Sequence, residues 1–321
     1  MVRHPLVLMA ALAPLAAAAQ GAPEPQGAEI AGSHRVVAAH RFEPSTLVDD
    51  PFATTSVGTD VGYMLGAAKG PTLQGGLGNL TIGCCKDLSY GGILGQLDGS
   101  FRLADWLGLR LGLGTFVYSG IDRPSVISVG SGLKTSAHAQ LVPGIELGDR
   151  VRAAALVGVA TQPALDILVL SGLRDAIQSG SVEGGEILQT SNTLVLDAGA
   201  SVAWAAARWL GVTASVEYVA PRRNGLAAFS ANGIQAAAAV DMDVGALNPG
   251  TAFGLSAAYR IIAPVATSEF QAQQDVRAGV FYTGRPGLTV RGELGYRHFN
   301  IRQDQLLSDV GTFDVIVRYD W

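Results

Sequence analysis

The chain has 321 residues, a formal net charge of −5 and only 15% charged residues, with a mean hydropathy of +0.29. The mild acidity and the lack of basic clusters argue against nucleic acid as a partner. After the first twenty positions the sequence has no uninterrupted run of about 20 apolar residues, so membrane-spanning helices are not expected. An apolar, glycine-rich chain without such runs is typical of a β-barrel, in which only every second side chain faces lipid.

The first 19 residues have the pattern of a secretion signal. Arg3 and His4 supply a short polar start, residues 6–18 are apolar, and small residues end the segment, so we expect cleavage after about Ala19. Residues 20–56 are rich in proline and polar residues and show no period. We interpret them as a periplasmic arm or as a plug folded into the barrel, and both interpretations stay open.

From Val57 onwards apolar side chains alternate with polar or small ones, as on a strand with two different faces. A Gly-rich run follows, which contains the only two cysteines, Cys84 and Cys85, and which we expect in a surface loop. Five hairpins with short turns come next, joined to one another by longer polar connections. One leading strand, five hairpins and one closing strand predict about twelve strands over residues 57–321.

One long connection has a different pattern. Between residues 163 and 186 apolar side chains recur at a helical spacing, as at Leu165, Leu168 and Leu173. Pro163 suits a first helical turn and Gly180 a helix end, so the spacing predicts a short helix in an external loop. Two interpretations stay open: the helix narrows the lumen, or it packs against neighbouring loops.

The last strand has one apolar face that ends on the terminal residue. Phe313, Val315, Val317, Tyr319 and Trp321 share this face. This strand resembles the closing strand of porin-like outer-membrane β-barrels of Gram-negative bacteria, in which a terminal aromatic residue is part of the insertion signal. The resemblance implies a transmembrane antiparallel up-and-down barrel in the outer membrane.

The same resemblance implies partners and an insertion signal. It assigns the signal to Phe313, Tyr319 and Trp321, and implies contact with outer-membrane lipid, with lipopolysaccharide and, during insertion, with the barrel-assembly machinery. We expect a monomer, because porin trimers usually come from wider barrels.

Two sets of residues follow from the alternation. The first set is charged and is predicted to line the lumen: Arg102, Arg110, Glu146, Arg152, Asp197, Glu217, Arg260, Arg277, Arg291, Glu293, Arg297 and Arg318. The second set is aromatic and is predicted to form girdles at the two membrane interfaces: Trp106, Trp204, Trp209, Trp321, Tyr118, Tyr218, Tyr259 and Tyr296. Over all inward positions acidic and basic residues are nearly balanced, because the arginines of this set are joined by the acidic Asp60, Asp98, Asp241, Asp243, Asp275 and Asp314, and this balance argues against strong ion selectivity.

The sequence favours a narrow channel for passive diffusion of small solutes. The alternative is a non-conducting barrel that acts through its external loops, in which opposite charges pair across the interior. Enzymatic barrels, such as a phospholipase and the omptin proteases, require a histidine in a catalytic motif, which neither His138 nor His298 has. No metal-spaced cluster and no phosphate-binding loop is found, so we expect neither catalysis nor a cofactor.

Overall fold

The computed structural model describes residues 35–43, 45–69, 73–77, 80–84, 87–122, 127–167, 188–224, 232–248, 250–265, 272–285, 287–301 and 306–321. Its elements in chain order are β1 (Val36–Val37), β2 (His40–Arg41), β3 (Ser56–Lys69), β4 (Leu73–Leu77), β5 (Leu80–Cys84), β6 (Asp87–Ala104), β7 (Leu107–Asp122), β8 (Ile127–Glu146), β9 (Val151–Ile167), β10 (Leu188–Ala207), β11 (Leu210–Asn224), β12 (Gly233–Asp243), α1 (Val244–Leu247), β13 (Phe253–Pro264), β14 (Gln273–Tyr282), β15 (Leu288–Ile301) and β16 (Leu306–Asp320).

Twelve of these strands form a closed antiparallel barrel, β3 and β6 to β16, so the predicted fold class and strand number are confirmed. The barrel closes where β16 pairs with β3, in a register that places Tyr319 opposite Val57 and Asp320 opposite Ser56. Closure leaves no free sheet edge, which a lipid environment requires because it offers no water to unpaired backbone groups. The strands β4 and β5 form a separate hairpin that contains Cys84, whereas Cys85 lies outside the described residues.

The side chains divide by face as the period of two predicts. On β3, Val61 and Leu65 keep 55% and 58% of their surface exposed, whereas Asp60, which directly precedes Val61, keeps only 7%. The same inversion recurs on β15, where Leu294 is 64% exposed and Glu293 is 1% exposed. Apolar side chains therefore cover the outside of the barrel and polar side chains fill the inside, which is the reverse of a water-soluble core.

Short turns join the strands at one end, where the barrel also begins and ends. Asp105 and Trp106 form the turn between β6 and β7, and Arg208 and Trp209 form the one between β10 and β11. The helix α1 lies at this same end, between β12 and β13, and Asp243 caps it by accepting a hydrogen bond from the Ala246 backbone. Among the described residues no helix has the length and apolarity needed to cross a membrane.

The prediction of a helix that begins at Pro163 is wrong for its first residues. Strand β9 continues to Ile167, and Pro163 pairs with Asn192 on β10. The ladder between two long neighbouring strands outweighs the helical spacing of a few apolar residues, because each added pair extends an existing ladder. Residues 168–187 lie outside the described residues.

Candidate functional site: the plugged lumen

The short-turn end of the lumen contains residues 35–55, which we call the plug and which the structure describes apart from Pro44. The plug starts with the β1–β2 hairpin and continues as extended chain into β3. Its hydrogen-bond partners lie on strands spread around the whole ring, namely Ser100 on β6, Arg110 on β7, Arg152 on β9, Ser201 on β10, Asp241 on β12 and Arg291 on β15. A segment with partners on all sides lies across the lumen.

The plug begins with a buried arginine that joins its first hairpin to its last residues and to the closing strand β16. Arg35 Nε donates to Asp50 Oδ2 at 2.6 Å, Nη2 donates to Thr54 at 3.0 Å, and Nη1 donates to Asp320 on the closing strand. Burial opposes the charge on Asp50, but the guanidinium groups of Arg35 and Arg110 outweigh it and hold the pKa of this carboxyl below its usual value. The carboxylate is therefore the form that fits this site.

Glu43 forms a second anchor. Its carboxylate accepts from Thr289 at 3.0 and 2.9 Å and pairs with Arg41 at 2.8 Å and with Arg318 at 2.9 Å. Its backbone carbonyl accepts from Arg291 Nη2 at 2.7 Å. One plug residue thereby engages two neighbouring strands, β15 and β16, through charge-assisted hydrogen bonds, which are stronger than neutral ones.

A third anchor comes from the wall. Glu293 accepts from Ser45 Oγ at 3.0 Å and from Thr46 Oγ1 at 2.5 Å. Arg277 pairs with Glu293 at 3.3 Å, donates to Thr46 at 2.7 Å and binds Asp314. The buried Glu293 carboxylate is thus satisfied by two hydroxyl groups of the plug and by two guanidinium groups of the wall, those of Arg277 and Arg291, as a buried charge requires.

The tip of the β1–β2 hairpin carries a fully buried histidine. His40 Nε2 lies 2.6 Å from Asp241 Oδ2, its Nδ1 lies 3.3 Å from the Arg208 carbonyl oxygen, and its ring meets Phe42 edge-on at 4.6 Å. The ring packs directly on Gly211, where a Cβ atom would overlap it. Sequence patterns do not indicate this pair, because 201 positions separate His40 from Asp241.

Apolar contacts support these polar anchors at two places. One cluster joins Val37, Phe42 and Phe52 of the plug to the inward alanines 203 and 205 of β10. The other joins Leu47 and Val48 to the inward alanines 237, 239 and 258 of β12 and β13. Small wall residues leave the space that the larger plug residues fill.

The charged residues predicted to line the lumen all lie on inward faces or at the short-turn rim. Those whose side chains bond to the plug are Arg110, Arg152, Arg277, Arg291, Glu293 and Arg318. The Arg102 backbone N–H also donates to Thr55 Oγ1 of the plug at 3.2 Å. The others have wall partners or are buried. Arg260 and Arg297 bind Asp275 at 2.9 and 2.6 Å, and Arg102 binds Asp105. Glu146 pairs with Arg152 at 3.4 Å, Asp197 lies 3.5 Å from Gln140, and Glu217 is buried.

Most of the predicted girdle residues lie on the outer surface. Exposed positions are occupied by Trp106, Trp204, Trp321, Tyr218, Tyr259 and Tyr296, while Trp209 is half-buried in its turn. Of the three residues assigned to the insertion signal, Tyr319 and Trp321 are exposed and their rings stack with centroids 6.0 Å apart, whereas Phe313 is half-buried.

The assignment of Tyr118 to a girdle is wrong. Its neighbour Val117 faces outward, so alternation turns Tyr118 into the lumen. Its ring stacks on the inward Phe116 at 5.4 Å, and the Lys134 ammonium lies 5.3 Å from the ring centroid. The height of Tyr118 along β7 suits a girdle, but the alternation of side chains along the strand decides which face it occupies.

The two barrel histidines lie on opposite faces. His138 faces the lumen with its Nε2 3.8 Å from Asp98, whereas His298 shares the outer face with Tyr296 and contacts Asp309 at 2.8 Å. Tyr296 also donates to Asp309 at 2.5 Å. In the described part of the chain, the hydrogen-bond and ion-pair partners of these two histidines are aspartates.

A cavity of about 250 Å³ separates the plug from one side of the barrel. Strands β15, β16, β3, β6, β7 and β8 form its wall, and Arg35 and plug residues between 45 and 50 form its floor. Asp60, Asp98, His138 and Arg110 are among the residues that line it.

No protein-family profile matches the chain, and no curated protein matches it. Solved structures do resemble it. The transport unit of the autotransporter AIDA-I from Escherichia coli covers 86% of this chain and 94% of its own length, with a TM-score of 0.51 and 13% identity. The translocator domain of autotransporter NalP from Neisseria meningitidis covers 84% and 89%, with a TM-score of 0.49 and 11% identity.

An outer membrane channel from Pseudomonas putida F1 covers 87% of this chain and all of its own length, with a TM-score of 0.49 and 9% identity. At identities this low, likeness shows the fold and nothing about solutes or partners. The chain therefore has the fold of bacterial outer-membrane β-barrels.

Proposed function

We propose that this protein is an outer-membrane channel for small polar solutes, which the plug closes at the short-turn end in the state described here. The observation that carries the proposal is the polar anchoring of the plug. Arg35, Glu43 and Glu293 bind it to the wall through ion pairs and hydroxyl contacts. Eight strands make a barrel that side chains fill and sixteen leave an open pore, so a twelve-stranded lumen has room for both a plug and a passage.

The same anchoring makes opening possible. Buried ion pairs contribute little net free energy, because the attraction between the charges mainly offsets the cost of removing them from water. When the plug leaves, groups such as Arg318 and Glu293 regain water, and the lumen becomes a polar passage. The plug remains tied to β3 at the short-turn mouth and therefore leaves toward that side.

The fold and the sequence together support the proposed location. A signal peptide over residues 1–19, cleaved after about Ala19, would deliver the chain to the periplasm. The barrel would then enter the outer membrane as a monomer, with both ends on the periplasmic side and passive diffusion as its mode of transport. Outer-membrane lipid and lipopolysaccharide would contact the apolar exterior.

A second candidate is a non-conducting barrel that acts through its external loops. The complete burial of His40 and the near-complete burial of Asp241 favour it, because contacts this deep suit a permanent closure. The two candidates differ in whether removal of the plug produces a current.

Single-channel recording in a planar bilayer separates the two candidates. We compare the refolded mature protein with a variant that lacks residues 20–55, and we check both by the mobility shift that heating gives a folded barrel on a gel. A channel with a closing plug gives brief or small steps for the mature protein and long, larger steps for the deletion variant. Two folded but silent proteins would establish the loop-based alternative, and equal steps from both would show that the plug does not close the lumen.

Because a deletion can prevent folding, a second variant keeps the whole chain. Arg35→Ala combined with Glu43→Ala removes two anchors of the plug and leaves every strand intact. The proposal predicts longer open times for this variant than for the mature protein. Unchanged open times in a folded variant would contradict it.

A further inference from the structure

We propose that the cavity beside the plug is a binding site for a small organic cation with a primary ammonium group. The first observation is a buried carboxylate without a donor. Asp60 is 7% exposed and lines the cavity, and its Oδ1 forms no hydrogen bond within the described part of the molecule. A buried acceptor without a donor is costly, so a ligand that brings a donor to this oxygen binds favourably.

A second carboxylate stands on the adjacent strand. Asp98 lines the same cavity, and within the described residues its two oxygens accept hydrogen bonds from the Gln96 amide, at 2.9 and 2.8 Å. The His138 Nε2 atom lies further away, at 3.8 Å. A carboxylate has about four acceptor positions, so Asp98 retains capacity for another donor. Asp60 and Asp98 therefore offer two acceptors to one ligand.

The arginines around the cavity are already engaged. Arg35 binds Asp50 and Asp320, and Arg318 binds Glu43. Arg110 donates to the Asp50 carbonyl oxygen. Within the described residues these three arginines form ion pairs with carboxylates other than Asp60 and Asp98, so both of these carboxylates remain available to a cation.

The geometry favours an ammonium group over a metal ion. Within the described residues no group of three His, Cys, Asp or Glu side chains is placed to hold a metal. An ammonium group brings three donors and no acceptor, which matches a site made of carboxylate oxygens. The volume of about 250 Å³ equals roughly eight water molecules at about 30 Å³ each, so the ligand is small.

The site is present in the closed barrel, and its occupation does not require that the channel opens. Isothermal titration calorimetry on the refolded mature protein, with ethylammonium chloride as the probe, measures binding without any current. We expect saturable binding, and for Asp60→Asn, which removes the charge and keeps the shape, an affinity about tenfold lower because a charge-assisted hydrogen bond is lost.

The matched control is Asp105→Asn, which removes a carboxylate with 91% of its side chain exposed in the β6–β7 turn and leaves the cavity intact. This variant should bind ethylammonium as the mature protein does. Tetrabutylammonium, which has no N–H donor and is too bulky for the cavity, should not bind. The heat-dependent mobility shift verifies that each variant is folded.

Four results would overturn the proposal. They are absence of ethylammonium binding, unchanged affinity in folded Asp60→Asn, equal loss in Asp105→Asn, and binding of tetrabutylammonium as tight as that of ethylammonium. Magnesium chloride serves as a further probe, and displacement of ethylammonium by it at equal concentration would assign the site to metal ions instead. None of these results depends on whether the barrel conducts.

Discussion

At the scale of single residues, the wall of the lumen is shaped by glycine as much as by charge. Gly211 on β11 lies beneath the ring of His40, and a Cβ atom there would overlap both His40 and Phe42. A side chain at this position competes directly with the plug for space. By contrast, Gly292 on β15 has no atom within 4 Å of a Cβ.

Gly211→Ala should therefore loosen the plug while the barrel remains folded. Overpacking of a tight contact costs about 1–3 kcal/mol, and we expect a protease to cleave the N-terminal segment of the refolded variant about tenfold faster than in the mature protein. Gly292→Ala is the matched control and should be cleaved at the original rate. Equal cleavage rates in all three proteins would show that the hairpin tip does not hold the plug.

Residue-scale prediction from sequence succeeded for exposure and failed for partners. The alternation on β3 is enough to predict that Val61 faces outward and Asp60 inward, because a shift of the strand register by one residue would exchange the two faces. It contains no information on the partner of His40, since a hydrogen bond between residues far apart in sequence leaves no local period. Tyr118 shows that the alternation of faces along a strand predicts the orientation of a side chain more reliably than its height along the strand does.

At the scale of elements, the plug is a segment that takes its conformation from the barrel. Its hairpin turns through Ala38 and Ala39 at φ of 48° and 61°, a region that non-glycine residues rarely adopt. Such a turn persists only where surrounding contacts maintain it. Because residues 20–56 have no period, their sequence left an arm and a plug equally open.

Acid should release the plug. The pKa of Asp50 lies below its ordinary value of 3.8, since its ion pairs with the arginines outweigh the effect of burial. A lowered folded-state pKa contributes stability that is complete above the ordinary value and is lost as the pH falls through the folded one. Protease cleavage of the plug should therefore stay constant from pH 8 to about pH 5 and increase below about pH 4.

Asp50→Asn provides the control for acid release. This variant lacks the titrating carboxyl, so its plug should be more accessible already at neutral pH and should show a smaller increase below pH 3.8. Breaking one partner of a buried pair costs about 3–5 kcal/mol, which is large enough to detect. Release between pH 5 and pH 8, or identical acid profiles for the two proteins, would refute the role assigned to Asp50.

The long connection after β9 shows what limits prediction of elements. Leu165, Leu168 and Leu173 have a helical spacing, yet β9 extends to Ile167 because β10 is present to pair with it. Pairing with a distant strand is a tertiary effect, and a short apolar run does not distinguish a helix from a strand on its own.

At the scale of the whole molecule, the fold was predictable because lipid and lumen impose opposite demands on neighbouring residues. The twelve strands, the short turns at one end and the closing contact of β16 with β3 all follow from that contrast. The network of Arg35, Glu43 and Glu293 was not predictable, because it joins the plug to strands that only barrel closure brings together.

Spin-label accessibility on β13 tests most directly whether hydrocarbon surrounds the apolar faces. In a Cys84→Ser/Cys85→Ser background, the single changes Leu255→Cys, Ser256→Cys and Ala257→Cys place labels on consecutive residues of the refolded protein in lipid vesicles. Leu255 and Ala257 face outward and Ser256 faces inward, so oxygen, which concentrates in lipid, should relax the first and third labels more strongly than the second. Equal relaxation at all three positions, or the strongest relaxation at residue 256, would contradict a barrel with lipid outside and a polar lumen inside.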